Sequence, residues 1–166
     1  MISTGILRKY VGPGTIFIET GTDTGFAVEA ALNFGTRRIY SIEVDEEKYE
    51  LARQKFADKT NVHLFLGDSG QILPEVLKLV SEPAVFWIDA HDEYCCPIFE
   101  ELSAIAKHPV KTHTILVDDI RLFRSRHWKV SMGEVCDKLV SINPDYTIMM
   151  EDGYVPADIL VARLYS

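Results

Sequence analysis

Short apolar runs alternate with amphipathic stretches along the whole chain, and this alternation limits the fold more than any other feature of the sequence. The runs are rich in β-branched and aromatic residues, which is typical of strands. The predicted strands are 15–19, 39–43, 62–66, 84–88, 114–117, 146–151 and 159–164. The first five are almost continuously apolar, as expected for parallel strands that are buried on both faces of a sheet.

The stretches between the strands carry apolar residues at helical spacing, which predicts amphipathic helices. The predicted stripes are Phe26, Ala30, Ala31 and Phe34; Tyr49, Ala52 and Phe56; Ile72, Leu73, Val76 and Leu77; Ile98, Leu102 and Ile105; and Met132, Val135, Cys136 and Leu139. Repeated strand–helix–strand units predict an α/β fold with a doubly wound sheet and right-handed crossovers. Only 152–158 separates the last two strands, which is too short for a crossover helix, so an antiparallel hairpin is expected there.

Size and charge narrow the class of protein. A chain of 166 residues is expected to form one domain, 1–166. Its 17 basic and 25 acidic side chains give a formal net charge of -8, which repels both a nucleic-acid backbone and an anionic membrane surface. We therefore expect neither nucleic acid nor a membrane as a partner.

The expected location is the cytoplasm. No apolar run approaches the ~18 residues that a membrane helix needs, and the first residues do not resemble a signal peptide. The cysteines are Cys95, Cys96 and Cys136, an odd number whose spacing suits neither a disulfide framework nor a zinc site. They are expected to be reduced thiols.

The first predicted strand leads into the turn 19–25, which contains Gly21 and Gly25. Glycines allow a tight turn and the close approach of a ligand, and the helix that follows offers unpaired N–H groups. The dinucleotide fingerprint G-x-G-x-x-G is not met, because Asp23 occupies the second glycine position and Phe26 the third. Asp23 would also set a carboxylate against a pyrophosphate, so a nicotinamide-dependent dehydrogenase is disfavoured.

Acidic residues follow the next two predicted strands. Glu43 ends the second strand, 22 residues after Gly21, where an acid can accept hydrogen bonds from both ribose hydroxyls of a nucleoside. The alternative is that Glu43 caps the following helix. After the third strand, Asp68 could accept an adenine amino group, or it could cap the helix that begins near Ser69.

Five runs stand in order along the chain: FIETGTDTGFAVEAAL, IYSIEVDEEKYELA, LFLGDSGQILPEV, VFWIDAH and ILVDDI. Together they resemble the class I S-adenosylmethionine-dependent methyltransferases. The resemblance implies a Rossmann-like sheet of seven strands in the order 3-2-1-4-5-7-6, with the last strand antiparallel, and S-adenosylmethionine as the cofactor. The cofactor-binding residues that it implies are Glu19, Thr20, Gly21, Thr22, Gly25, Glu43, Val44, Gly67, Asp68, Ser69 and Asp89.

Carboxylates also stand at the ends of two neighbouring predicted strands, with Asp89 after the fourth and Asp118 and Asp119 after the fifth. Close like charges raise a pKa and cost stability, and a Mg²⁺ ion, which prefers oxygen ligands, would remove that conflict. The positions resemble those of metal-dependent O-methyltransferases of the catechol and macrolide-sugar types, which implies that these three residues bind Mg²⁺. The alternative is that Asp119 caps a helix while Asp89 only contacts the loop.

The sequence departs from the catechol type at the expected base. That type has a Lys three residues after the first Asp, whereas this chain has Asp92 there. His91 is the nearest replacement, and an imidazole can take a hydroxyl proton near neutral pH. His91 and Asp89 are therefore the candidate catalytic residues, with a role for His91 in the cofactor pocket as the alternative.

The expected function is metal-assisted O-methylation of a small hydroxylated acceptor, such as a sugar or a phenol. Two alternatives stay open: a metal-independent methyltransferase of small molecules, and a non-catalytic S-adenosylmethionine-binding module that needs a partner. Few residues precede the first predicted strand, so the acceptor side is expected to be open. A second subunit of a homodimer is one way to cover it.

Overall fold

A computed structural model describes residues 4–165 of the chain. Within this range every predicted strand is confirmed, with bounds that differ by at most one residue. The strands are β1 (Ile16–Thr20), β2 (Arg38–Glu43), β3 (Val62–Leu66), β4 (Val85–Ile88), β5 (Thr114–Val117), β6 (Thr147–Glu151) and β7 (Ile159–Arg163).

The helices that carry the five predicted stripes are also present. The α-helices are α1 (Thr4–Tyr10), α2 (Phe26–Asn33), α3 (Glu46–Lys55), α4 (Ser69–Leu77), α5 (Ile98–Lys107) and α6 (Met132–Ile142), and a 3-10 helix covers Ile120–Arg124. Helix α1 is not apparent from the sequence, because it buries only Ile6 and Leu7 and so shows no periodic stripe. No described helix has the length and apolar character needed to cross a membrane.

The strands form one sheet in the order β3-β2-β1-β4-β5-β7-β6, as the resemblance implies. β1 to β5 run parallel, whereas β7 is antiparallel to both β5 and β6. The central strands β1 and β4 are buried along their whole length, and the edge strands β3 and β6 are partly exposed. The chain therefore has the predicted Rossmann-like, doubly wound α/β fold.

Apolar side chains pack on both faces of the sheet. Successive residues of a strand point to opposite faces, so Phe17 belongs to one core and Ile18 to the other. The core around Phe17 contains residues of α1, α2 and α3, and the core around Ile18 contains residues of α4, α5 and α6. The sheet is thus held rigidly between two layers of helices.

The carboxyl ends of the parallel strands meet at one edge of this sheet. The register pairs Thr20, at the end of β1, with Ile42 of β2 and Ile88 of β4, and it pairs Ile88 with Val117 of β5. The turns that follow these strands therefore lie side by side. In open α/β sheets this edge is where ligands bind.

Candidate active site

A cleft of about 420 Å³ lies at this edge, within the usual size range of small-molecule sites. Thr20 and Gly25 do not line it: Thr20 is fully buried, and Gly25 packs against Phe56 at the start of α2. His91 and Asp119 lie at the other end of the same cleft. The predicted cofactor-binding residues that line the cleft are Glu19, Gly21, Thr22, Glu43, Val44, Gly67, Asp68, Ser69 and Asp89.

The turn after β1 fits closely against the end of β4. Gly21 has a φ of 86°, and a Cβ atom there would lie 2.6 Å from the carbonyl oxygen of Asp89. Only glycine tolerates both this conformation and this approach. The backbone of the turn therefore lies beside Asp89, which also lines the cleft.

Glu43 is buried and fixed by backbone amides at the end of β2. One carboxylate oxygen accepts the amide of Asp23 at 2.7 Å, and the other accepts the amides of Val44 and Asp45 at 2.9 Å. The N-cap of α3 is Asp45, whose side chain accepts the amide of Lys48. Glu43 thus faces the cleft as an ordered acceptor, while Asp45 takes the capping role that was the alternative for it.

Glu19 is a buried carboxyl at the floor of the cleft. Burial raises its pKa well above the usual range, although the hydrogen bond from Ser41 at 2.6 Å opposes this shift. Ser41 also shares a 2.6 Å hydrogen bond with Thr22. Ser41 is absent from the predicted set, yet it lies two residues before Glu43 on β2 and so points to the same face, which is a signal that the sequence offers.

Asp23 has a partner that local sequence patterns do not indicate. Its carboxylate lies 2.6 Å from Lys48 Nζ, and Lys48 also lines the cleft. The pairing lowers the pKa of Asp23 and raises that of Lys48. Asp23 is therefore not the uncompensated carboxylate that the sequence suggests. A dinucleotide is disfavoured only because the turn lacks two glycines of the dinucleotide fingerprint.

Asp68 and Ser69 follow β3 on the far side of the cleft. Asp68 accepts the amide of Gly70 at 2.8 Å and so caps α4, which was the alternative for this residue. Its exposed carboxyl also lines the cleft. Ser69 is buried, and its hydroxyl donates to Glu101 of α5 at 2.6 Å.

His91 lies between two carboxylates at the end of the cleft that contains Asp119. Its Nε2 atom is 3.2 Å from Asp89 Oδ1 and 3.1 Å from Asp119 Oδ2. Burial alone would lower the pKa of His91, but the two carboxylates outweigh burial and raise it to about 9. The ring also contacts the buried ring of Trp128 edge to face, with centroids 4.4 Å apart. His91 is thus held in one orientation.

The three predicted metal ligands do not form one group. Asp119 lies with Asp89 and His91, whose potential ligand atoms are all within 4.8 Å of one another, whereas Asp118 lies with Asp119 and Asp158. In that second group a single guanidinium nitrogen of Arg121 contacts both Asp119 and Asp158. Asp118 is buried, and burial together with the charges of Asp89 and Asp119 raises its pKa to about 7.

These contacts test the fit of a metal ion. The first group offers two carboxylates and an imidazole nitrogen, a set that suits Mn²⁺ or another transition ion better than Mg²⁺, which prefers oxygen alone. The second group already contains the positive charge of Arg121. A divalent ion therefore fits Asp89, His91 and Asp119 rather than the predicted trio. The contact with His91, followed by that with Arg121, also lowers the pKa of Asp119 to about 2, which keeps that carboxylate ionised.

Comparison with known proteins gives a likeness in structure alone. No family model matches the sequence, and no curated protein matches it. An rRNA methylase from Streptococcus thermophilus has a TM-score of 0.64 and 13% identity over 98% of this chain and 94% of that one. The O-methyltransferase TomG from Streptomyces achromogenes, solved with S-adenosylmethionine, has a TM-score of 0.64 and 17% identity over 91% of this chain and 73% of that one. A putative caffeoyl-CoA O-methyltransferase from Staphylococcus aureus has a TM-score of 0.65 and 15% identity over 96% of this chain and 79% of that one. The chain thus shares the fold of these methyltransferases.

Proposed function

We propose that the protein transfers a methyl group from S-adenosylmethionine to a hydroxyl oxygen of a small acceptor, such as a sugar or a phenol. One observation carries the proposal: a single cleft joins Glu43 and Asp68, suited to a nucleoside, to Asp89 and His91, suited to proton transfer. Several structurally similar proteins are methyltransferases, and TomG was solved with S-adenosylmethionine, which supports the choice of cofactor. Although some of them are rRNA methylases, the net charge of -8 favours a small acceptor over RNA.

The cleft can hold each part of the cofactor with its own residues. Glu43 would accept hydrogen bonds from the ribose hydroxyls, and Val44, an exposed apolar side chain beside it, would pack against the adenine. Asp68 would face the adenine. Asp89 would place a carboxylate near the methionine end, where it favours a cationic ligand, and a bound cation would lower the raised pKa of Glu19. When bound, S-adenosylmethionine supplies an electrophilic methyl group at this end.

His91 is the proposed base for the acceptor hydroxyl. Asp89 and Asp119 orient its imidazole, and Trp128 holds the ring from the side. The imidazole accepts a proton only in its neutral form, and the positive charge of a sulfonium beside it favours that form. Alignment of the acceptor oxygen with the methyl group provides much of the remaining acceleration.

We propose that Asp89, His91 and Asp119 would hold a divalent ion. In that form His91 would be a ligand, and the ion in its place would polarise the acceptor oxygens and lower the pKa of the hydroxyl. A metal-independent reaction with His91 as the base is the second candidate, because Arg121 already provides positive charge next to Asp119.

The test is methyl transfer from labelled S-adenosylmethionine to catechols, hydroxylated sugars and rRNA, each with Mg²⁺, Mn²⁺ or EDTA. We expect a small hydroxylated acceptor to be methylated, and His91→Ala and Asp119→Asn to lower kcat by about 100-fold. Asp137→Asn, a matched change on the exposed face of α6, should leave the rate unchanged. Unchanged turnover in EDTA would favour the metal-independent reaction. Methylation of rRNA alone would contradict the proposed acceptor class.

A further inference from the structure

An acid is buried beneath the cofactor side of the cleft. Glu101 lies in the first turn of α5 and is fully buried, and it has no part in the proposed methyl transfer. It interrupts the apolar face of α5, where Ile98, Leu102 and Ile105 belong to the core. Burying a carboxyl is costly unless hydrogen bonds compensate it. The hydrogen bonds of Glu101 therefore indicate its role.

Hydrogen bonds connect Glu101 to the segments that form the cleft. Its Oε1 accepts the hydroxyl of Ser69, the first residue of α4, at 2.6 Å. The hydroxyl of Thr20, the last residue of β1, lies close enough to the same carboxyl to lower its pKa. Thr20 Oγ1 accepts the backbone amide of Asp89 at 3.3 Å. One carboxyl thus holds the start of α4 by a hydrogen bond and lies beside the end of β1.

The first turn of α4 packs closely against the first turn of α5. A Cβ atom on Gly70 would lie 2.9 Å from Glu100 Cβ, so the first turns of α4 and α5 are in close contact. Burial raises the pKa of Glu101 to about 7. The hydrogen bond from Ser69 and the neighbouring hydroxyl of Thr20 oppose this shift, because they favour the ionised carboxylate. A change at Glu101 is therefore expected to move Ser69 and Thr20 before it affects distant parts of the fold.

The second oxygen of Glu101 has room for a further partner. Glu101 Oε2 makes no hydrogen bond of ordinary geometry to any residue within 4–165. Glu101 also lines a cavity of about 10 Å³ together with His91 and Asp118. That volume is close to what one water molecule needs, and buried polar atoms seldom stay without a hydrogen bond.

We propose that Glu101 is a positioning residue of the cofactor site, which holds Ser69 by a hydrogen bond and lies against Thr20, so that both keep the arrangement that S-adenosylmethionine requires. One buried water completes the hydrogen bonds of its carboxyl. The inference rests on the proposed function, because it assigns Glu101 a part in binding the cofactor of that reaction.

Calorimetric titration with S-adenosylhomocysteine tests this role in wild-type protein and in the variants E101A, E101Q and E100Q. Each titration is made at a temperature where circular dichroism shows the variant to be folded, so that lost affinity is separated from lost stability. We expect E101A to bind about tenfold more weakly, and E101Q to recover most of that loss because its amide oxygen still accepts from Ser69. E100Q changes an exposed neighbour in the same turn and should bind like wild type. In turnover, E101A should raise the KM for S-adenosylmethionine more than it lowers kcat at saturation.

A second variant covers the case in which E101A does not fold. Ser69→Ala removes the donor instead of the acceptor and should weaken binding by a similar factor. Adding E101Q to it should cost little more, because Ser69→Ala has already removed the hydrogen bond that the amide oxygen of E101Q would otherwise accept. If folded E101A, or S69A in its place, binds within about twofold of wild type, the inference is overturned and the proposed function stands. A folded wild type that binds no S-adenosylhomocysteine overturns both.

Discussion

Glu43 accepts a hydrogen bond from the backbone amide of Asp23 at 2.7 Å, and this bond joins the end of β2 to the turn after β1. The amides of Val44 and Asp45 hold the other carboxylate oxygen. The proposed acceptor for a ribose is therefore in place before a ligand enters. Such preorganisation lowers the entropic cost of binding, because the carboxylate has little freedom left to lose.

Replacing this acid should weaken nucleoside binding directly. We expect Glu43→Gln to bind S-adenosylhomocysteine about tenfold more weakly, because a charged acceptor becomes neutral and its NH₂ group cannot accept an amide. Calorimetric titration measures the loss. Glu47→Gln, an exposed acid in the first turn of α3, is the matched control and should retain wild-type affinity. Equal affinity in E43Q and E47Q would contradict the ribose-binding role.

The close approach of Gly21 to Asp89 predicts a cost for any side chain at this turn. Gly21→Ala combines a positive φ with a Cβ atom 2.6 Å from a carbonyl oxygen. We expect it to lower the free energy of unfolding by about 2 kcal/mol or more, as measured by urea denaturation. At Gly12 a Cβ atom would meet nothing within 4 Å, so Gly12→Ala should be close to neutral. A stable G21A protein that binds cofactor normally would show that the turn is not so constrained.

A buried pair of histidines predicts that acid weakens the fold. His113 Nδ1 accepts the amide of Ala84, so its Nε2 carries the proton and donates to His108 Nδ1, and His108 Nε2 donates to the carbonyl of Val80. Burial, followed by the charges of His108 and Lys111, lowers the pKa of His113 from 6.5 to about 4. The ring of His113 is therefore neutral in the hydrogen-bonded chain.

The sign of the pH dependence follows from this shift. Below pH 6.5 the unfolded chain binds a proton at His113 that the folded chain does not, so stability falls as the pH drops from 6.5 towards 4. The loss from this group is at most ~3 kcal/mol, and urea denaturation across that range measures it. His113→Gln should flatten the dependence, whereas His127→Gln, at an exposed histidine, should leave it unchanged. Equal slopes in all three proteins would assign the effect to other groups.

The sheet and half of the site follow from local patterns in the sequence. Apolar runs locate the strands, and residues at the end of a strand, such as Glu43, or directly after one, such as Asp89, reach the ligand-binding edge in any doubly wound fold. Glu101 also leaves a trace, as an acid in an apolar helical stripe. The pairings of Asp23 with Lys48 and of His91 with Asp119 leave none, because they depend on how separate loops direct their side chains. The same reason explains why adjacent Asp118 and Asp119 enter different groups: Asp119 has a φ of 55°, and no sequence pattern indicates that turn.

Cofactor binding by the wild-type protein is the most direct test of the account. Folded protein is titrated in the calorimeter with S-adenosylhomocysteine and, in parallel, with NADH. If the proposed function is correct, one S-adenosylhomocysteine binds saturably per chain, binding is weaker in E43Q, and NADH does not bind. Absence of S-adenosylhomocysteine binding, or binding of NADH in its place, would contradict it.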